Sequence, residues 1–123
     1  MELNQYQDRA METCMETSEN YSYMMGNLIA EVGEFAGKVA KAQRHGKLKF
    51  TNDGHILIYT CNTAEDGLEL EQGLMKEAGD ILWQLSGLCA VMGWDLETIA
   101  RVNLDKLASR KKRGVIDGSG DER

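Results

Sequence analysis

Between Asp80 and Met92 the chain reads "ILWQLSGLCAVM", apolar around nearly the whole circumference of a helix. A helix apolar all round has to be buried among other elements. A chain of 123 residues that carries one must therefore build a bundle around it. The segment is entered through "KEAGD", where Glu77 and Asp80 stand one turn apart. At about 100° per residue they share a narrow sector with Gln84, and further along with Leu88 and Val91. Both carboxylates are thus expected to point into protein. A buried isolated carboxylate is costly unless it is paired, protonated or bound to metal.

The remaining pattern supplies the partners. Proline is absent, which permits long helices. A first helix is expected from about Asn4 to Thr17, with Asn4 as N-cap and Gln7 in the capping-box position. A second runs from Asn20 to His45 and stops at Gly46. Asn52-Asp53-Gly54 is a turn signal, and Ile56, Leu57, Ile58 and Tyr59 are strand formers, so residues 47–60 are expected to form a short β-hairpin. A third helix starts near Thr63–Asp66 and runs to Met92. Gly93 ends it, and Asp95 caps a fourth from Leu96 to about Lys112. The short "MGWD" link favours an antiparallel pairing of these two. Gly114 opens a glycine-rich tail, residues 114–123. The expected fold is a single all-α domain over residues 1–123, a four-helix bundle with a β-hairpin insertion between the second and third helices.

Composition narrows the function. A net charge of −6 argues against broad attraction to nucleic acid or an anionic membrane. No apolar run reaches membrane-spanning length, and "MELNQYQDRAMETC" lacks the pattern of a signal peptide. The three cysteines form no CxxC pair and only two histidines are present, so no zinc site is expected. Reduced thiols in a cytoplasmic protein are the simplest reading.

Acidic residues at i and i+3 occur four times, against roughly three expected by chance, so context has to separate them. Glu16/Glu19 precedes a helix start and Asp66/Glu69 lies in a polar, glycine-rich stretch; both read as solvated or capping charges. Glu31/Glu34 borders an apolar stripe of Leu28, Val32, Phe35 and Val39. Two half-buried pairs on neighbouring helices, Glu31/Glu34 and Glu77/Asp80, can form an all-oxygen cage suited to Mg²⁺ or Mn²⁺. A ferritin-like di-iron centre is not expected, because Glu-x-x-His motifs are missing. The competing reading is that these acids simply pair with Lys38, Lys41 and Lys76. Spacing alone leaves both open.

The stretches "AEVGEFAGKVAK" and "KEAGDILWQLSGLCAVMGWDLETIARVNLDKLASRKKRG" resemble the MazG-like, all-α nucleoside triphosphate pyrophosphohydrolases, as do "LNQYQDRAMET" and "RGVIDGSGDER". The resemblance implies hydrolysis of a nucleoside triphosphate between its α- and β-phosphates, giving monophosphate and pyrophosphate. It also implies Mg²⁺ as cofactor, and sites formed between subunits of a homodimer or a dimer-of-dimers tetramer. It places metal ligation on Glu31, Glu34, Glu77 and Asp80, and substrate contacts on Asn103 and Lys106. Two departures stand out: Ala30 precedes Glu31 where the family often has a second glutamate, and 42 residues separate Glu34 from Glu77.

On that reading Glu34 either positions and deprotonates the attacking water or serves only as a ligand. Lys38 reaches a phosphate or pairs with Glu34. Gln84 is a candidate for hydrogen bonding the base or sugar, and Trp83 is expected in the core or an interface. "SRKKR" complements the helix dipole, or offers Arg110 or Arg113 to phosphate. The function expected is nucleotide-pool house-cleaning. The alternatives are a narrower dUTP- or dCTP-type pyrophosphatase, or a non-catalytic helical oligomer that binds nucleotide or protein.

Overall fold

A computed structural model of the chain describes residues 1–55 and 57–121. Four helices dominate: α1 (Leu3–Met11), α2 (Tyr21–Arg44), α3 (Ala64–Val91) and α4 (Leu96–Arg113). Between α2 and α3, β1 (Leu48–Phe50) pairs antiparallel with β2 (Leu57–Tyr59), with Leu48 opposite Tyr59 and Phe50 opposite Leu57. This is the expected all-α bundle with a hairpin insertion. Ile56, counted among the strand formers, lies outside the described residues, as do the last two residues of the tail.

Local chemistry sets most boundaries. The Asn20 side chain accepts from the Tyr23 N–H at 2.9 Å, Thr63 from Asp66 at 3.1 Å and Asp95 from Thr98 at 2.9 Å, each satisfying a donor freed at a helix start. Gly114, at φ 71°, closes α4 in the left-handed conformation that glycine tolerates best. The hairpin is fastened at its base: Lys47 N–H donates to Ala42 O at 2.8 Å, and Thr60 N–H to Lys47 O at 2.9 Å. Leu48, 1% exposed, anchors it in the core.

The first helix departs from expectation at both ends. Glu2, not Asn4, is its N-cap, and the Glu2 N–H donates to Gln5 Oε1 at 3.0 Å. Asn4 sits inside the helix, and its Oδ1 accepts instead from the Glu97 N–H at 3.0 Å, capping α4 across space. The helix stops at Met11 rather than Thr17, and Glu16–Ser18 forms a single 3₁₀ turn. The Ala10 carbonyl explains the early stop. It accepts from the Thr13 N–H, the Thr13 hydroxyl at 2.7 Å and the Trp83 Nε1–H at 3.0 Å, so it is not used to continue the helix.

Packing centres on α2 against α3, with α1 laid on both α3 and α4. Met24 of α2 is fully buried over Gly87 of α3, where a Cβ would lie 2.5 Å from the Met24 sulfur. Gln7 ties the third element in. Its Nε2 donates to Ser86 O and Trp94 O at 3.2 and 3.0 Å, and its Oε1 accepts from the Leu96 N–H at 3.1 Å.

Two expectations are corrected. The principal packing of α4 is on α1, not on α3 as a close antiparallel pair. Nor is α3 covered all round: Gln84, Ser86, Gly87 and Cys89 are buried, whereas Leu82, Leu85 and the C-cap Met92 are about 40% exposed. Within one chain α3 has α2 and α1 as its main neighbours, which leaves one side open.

Candidate active site

The α2–α3 contact that forms the core also brings the acids together. Glu31 and Glu34 project from successive turns of α2, and Glu77 faces them from α3. One carboxylate oxygen from each lies within 4.8 Å of the others. Glu31 and Glu77 are half-buried and Glu34 is exposed. Three carboxylates at this spacing repel one another, and the site shows how that repulsion is held. Asn27, one turn before Glu31, donates its Nδ2–H to Glu31 Oε1 at 3.1 Å. The Lys38 ammonium lies 2.6 Å from Glu77 Oε1. Even so, Glu31 is pushed above the usual carboxylate range. Burial is the main cause, followed by repulsion from Glu34 and Asp80; the Asn27 hydrogen bond opposes the rise.

Asp80 differs from its expected placement. It is exposed, not turned into the protein, and is absent from the three-oxygen cluster. Its charge still reaches the site, since it raises both Glu31 and the half-buried Tyr6 phenol, the latter chiefly through burial. The donor set fits a hard divalent cation, which takes oxygen ligands and is favoured by clustered negative charge.

Lys38 bridges the helices to Glu77 rather than pairing with Glu34 along α2. Among the described residues, neither Lys41 nor Lys76 forms an ion pair with the four acids. Gln84 is 3% exposed, and its Oε1 has no hydrogen-bond partner among the described residues. Trp83 is a packing residue: its Nε1–H donates to Ala10 O and to Thr13 Oγ1 at 3.0 and 2.9 Å. Asn103 and Lys106 are exposed on α4, away from the α2–α3 contact. Arg110 is buried and engages the tail, 3.1 Å from Asp121 Oδ1, with Lys106 3.9 Å from the same oxygen. A single chain therefore gathers Glu31, Glu34, Glu77 and Lys38, and leaves Asn103, Lys106 and Arg110 on another element.

Sequence reading passed over Asn27, and read Tyr6 as a core or interface residue without a signal that it would neighbour the site. Asn27 had a usable signal, a side-chain amide four residues before Glu31 on the same helix face. The nearness of Tyr6 to Asp80 had none, because α1 and α3 are distant in sequence.

The chain is similar to known proteins in a way that accords with this geometry. The profile of the MazG nucleotide pyrophosphohydrolase domain matches residues 19–115. The "Gene 37 protein" of Mycobacterium phage L5 is 35% identical over 130 residues, covering 100% of both chains. No solved structure matches. The matched region spans α2, the hairpin, α3 and α4, so it contains all four acids. The chain belongs to the MazG nucleotide pyrophosphohydrolase family.

Proposed function

We propose that this protein hydrolyses nucleoside triphosphates between the α- and β-phosphates, releasing monophosphate and pyrophosphate, with Mg²⁺ as cofactor and a house-cleaning role in the nucleotide pool. The observation that carries the reading is the convergence of Glu31, Glu34 and Glu77 within 4.8 Å, in a chain of this family. Bound there, Mg²⁺ supplies charge neutralisation and Lewis-acid polarisation of phosphate oxygens. Glu31 and Glu77, half-buried on facing helices, are held by Asn27 and Lys38 and form the fixed part of the donor set. Glu34 is the exposed member, open to a water on the solvent side. It is assigned to orient that water towards the α-phosphorus and accept its proton. Asp80 completes the acidic field from the next turn of α3.

Asn103 and Lys106 are assigned to substrate. Their place on α4 means that they meet nucleotide from another element or another subunit. A homo-oligomer accords with the apolar residues α4 leaves open, Val102 at 61%, Leu104 at 64% and Leu107 at 40% exposure.

The test is a panel of canonical and modified triphosphates with Mg²⁺ in ¹⁸O-labelled water. Label in the monophosphate, with pyrophosphate as co-product, is the expected result. Orthophosphate as first product sinks the reading, and so does full activity in Glu34→Gln.

A further inference from the structure

Beside the carboxylate cluster lies an open pocket of about 580 Å³ between the end of α2, the base of the hairpin and the first half of α3. Its lining sets four lysines against two acids in a chain of net charge −6. Lys38, Lys41 and His45 come from α2 and its C-cap, Lys47 from the hairpin base and Lys76 from α3. Asp66 and Glu69 on α3 are the acids that face them. Among the described residues, Lys41, Lys47 and Lys76 form no ion pair, so three exposed lysines line one concave site beside Asp66 and Glu69. The pocket begins where the acidic cluster ends. Lys76 precedes Glu77 in sequence, and Lys38 joins the two regions through its 2.6 Å contact with Glu77.

Lys47 is not a mobile arm at its root. Its N–H donates to Ala42 O at 2.8 Å, its carbonyl accepts from Thr60 N–H at 2.9 Å and from the Cys61 thiol, and the next residue, Leu48, is 1% exposed. The base of the hairpin thus contributes Lys47 to the pocket from a backbone pinned to α2. Lysine ammonium groups suit phosphate as point charges, and several of them are needed to match a polyanion.

We propose that the hairpin insertion completes an anion pocket for the pyrophosphate leaving group, with Lys41 and Lys47 as its outer cationic contacts. This rests on the α–β cleavage assigned above, because that cleavage makes pyrophosphate the group expelled on the side away from the nucleoside. The pocket gives the insertion a role: it retains the product and sets how strongly that product inhibits.

The test is calorimetric titration of Mg²⁺-pyrophosphate into the full chain, beside Lys47→Met and the Lys41→Met/Lys47→Met variant. Loss of one or more charge-assisted contacts is expected to weaken pyrophosphate binding about tenfold or more, with the thermal unfolding midpoint kept. Pyrophosphate inhibition of hydrolysis should weaken by the same factor, while orthophosphate binds feebly throughout. If the double variant proves unstable, Lys47→Met alone decides, since the backbone bonds of Lys47 do not need its side chain. Unchanged pyrophosphate affinity in Lys47→Met, or no pyrophosphate binding by the unaltered chain, overturns the pocket even if triphosphates are cleaved. Lysine-dependent pyrophosphate binding without any triphosphate cleavage overturns the proposed function instead and leaves the pocket standing.

Discussion

Gly87→Ala tests the packing that aligns the site. Two effects oppose each other. Alanine is favoured over glycine in a helix interior by about 1 kcal/mol. Against that, the new Cβ would sit 2.5 Å from the Met24 sulfur and 2.6 Å from its terminal methyl, where an ordinary contact needs about 3.5–4.0 Å. Methionine is flexible and on a surface would swing away. Met24 is 0% exposed, so its side chain has to repack inside the core or push α2 off α3. Overpacking of this kind costs about 1–3 kcal/mol, so destabilisation prevails, by up to about 2 kcal/mol net. In a Met24→Ala background the obstruction is gone and the sign should reverse, with Gly87→Ala stabilising by up to about 1 kcal/mol. Urea denaturation of the four proteins forms a double-mutant cycle whose coupling measures the contact. Glu31 lies two turns along α2 from Met24. Displacement of α2 should therefore also reduce stabilisation by Mg²⁺. A gain in stability on Gly87→Ala in the unaltered chain, or the same change in both backgrounds, refutes the reasoning.

Other consequences are as direct. Because the folded Glu31 is raised above its ordinary value, the folded chain holds more protons than the unfolded one between those two values. Stability without metal should therefore fall as pH rises through that window, and the Mg²⁺-induced rise in unfolding midpoint should be larger at neutral than at mildly acidic pH; Glu31→Gln should flatten both trends. Gln7→Met removes three hydrogen bonds and leaves the Leu96 N–H without its acceptor, which should cost about 2–4 kcal/mol in chemical denaturation. If the open faces of α3 and α4 meet a second copy, sedimentation equilibrium should give a dimer or tetramer, and Leu104→Lys should shift it towards monomer; a monomer for the unaltered chain would remove the basis for that interface.

What could be read from the sequence was local in origin. The caps Asn20, Thr63 and Asp95 each bind a backbone N–H three residues ahead, so a short window contains the whole interaction. The hairpin turn is equally self-contained: the Asp53 carboxylate accepts from the Thr51 hydroxyl and from the His55 N–H, while Gly54 takes φ 73°. Glu31, Glu34 and Glu77 were legible because a one-turn spacing on two helices survives any reasonable packing angle. Asn4 misled because its partner, the Glu97 N–H, is 93 residues away. Gln7 looked like half of a capping box and is instead a three-way buried tie between α1 and the α3–α4 turn.

The most instructive departure is the circumference of α3. Its composition demanded burial on every side, yet in one chain Leu82 and Leu85 stay about 40% exposed while Gln84, Ser86, Gly87 and Cys89 are buried. The same conflict appears on α4, where Val102 and Leu104 are each more than 60% exposed. Apolar residues scattered singly over a surface need no explanation, but two helices with open apolar residues in one small domain do. A second copy would reconcile the sequence with the structure, because the residues that look buried in the one would become buried in the other. The proposal that Asn103 and Lys106 meet nucleotide bears on the same point, because α4, which carries them exposed, packs mainly on α1. The burial of α3 and the isolation of Asn103 therefore pose one question. The association state measured with Leu104→Lys, read beside substrate affinity in Asn103→Ala, answers it: a monomeric variant that keeps full substrate affinity would separate the two again.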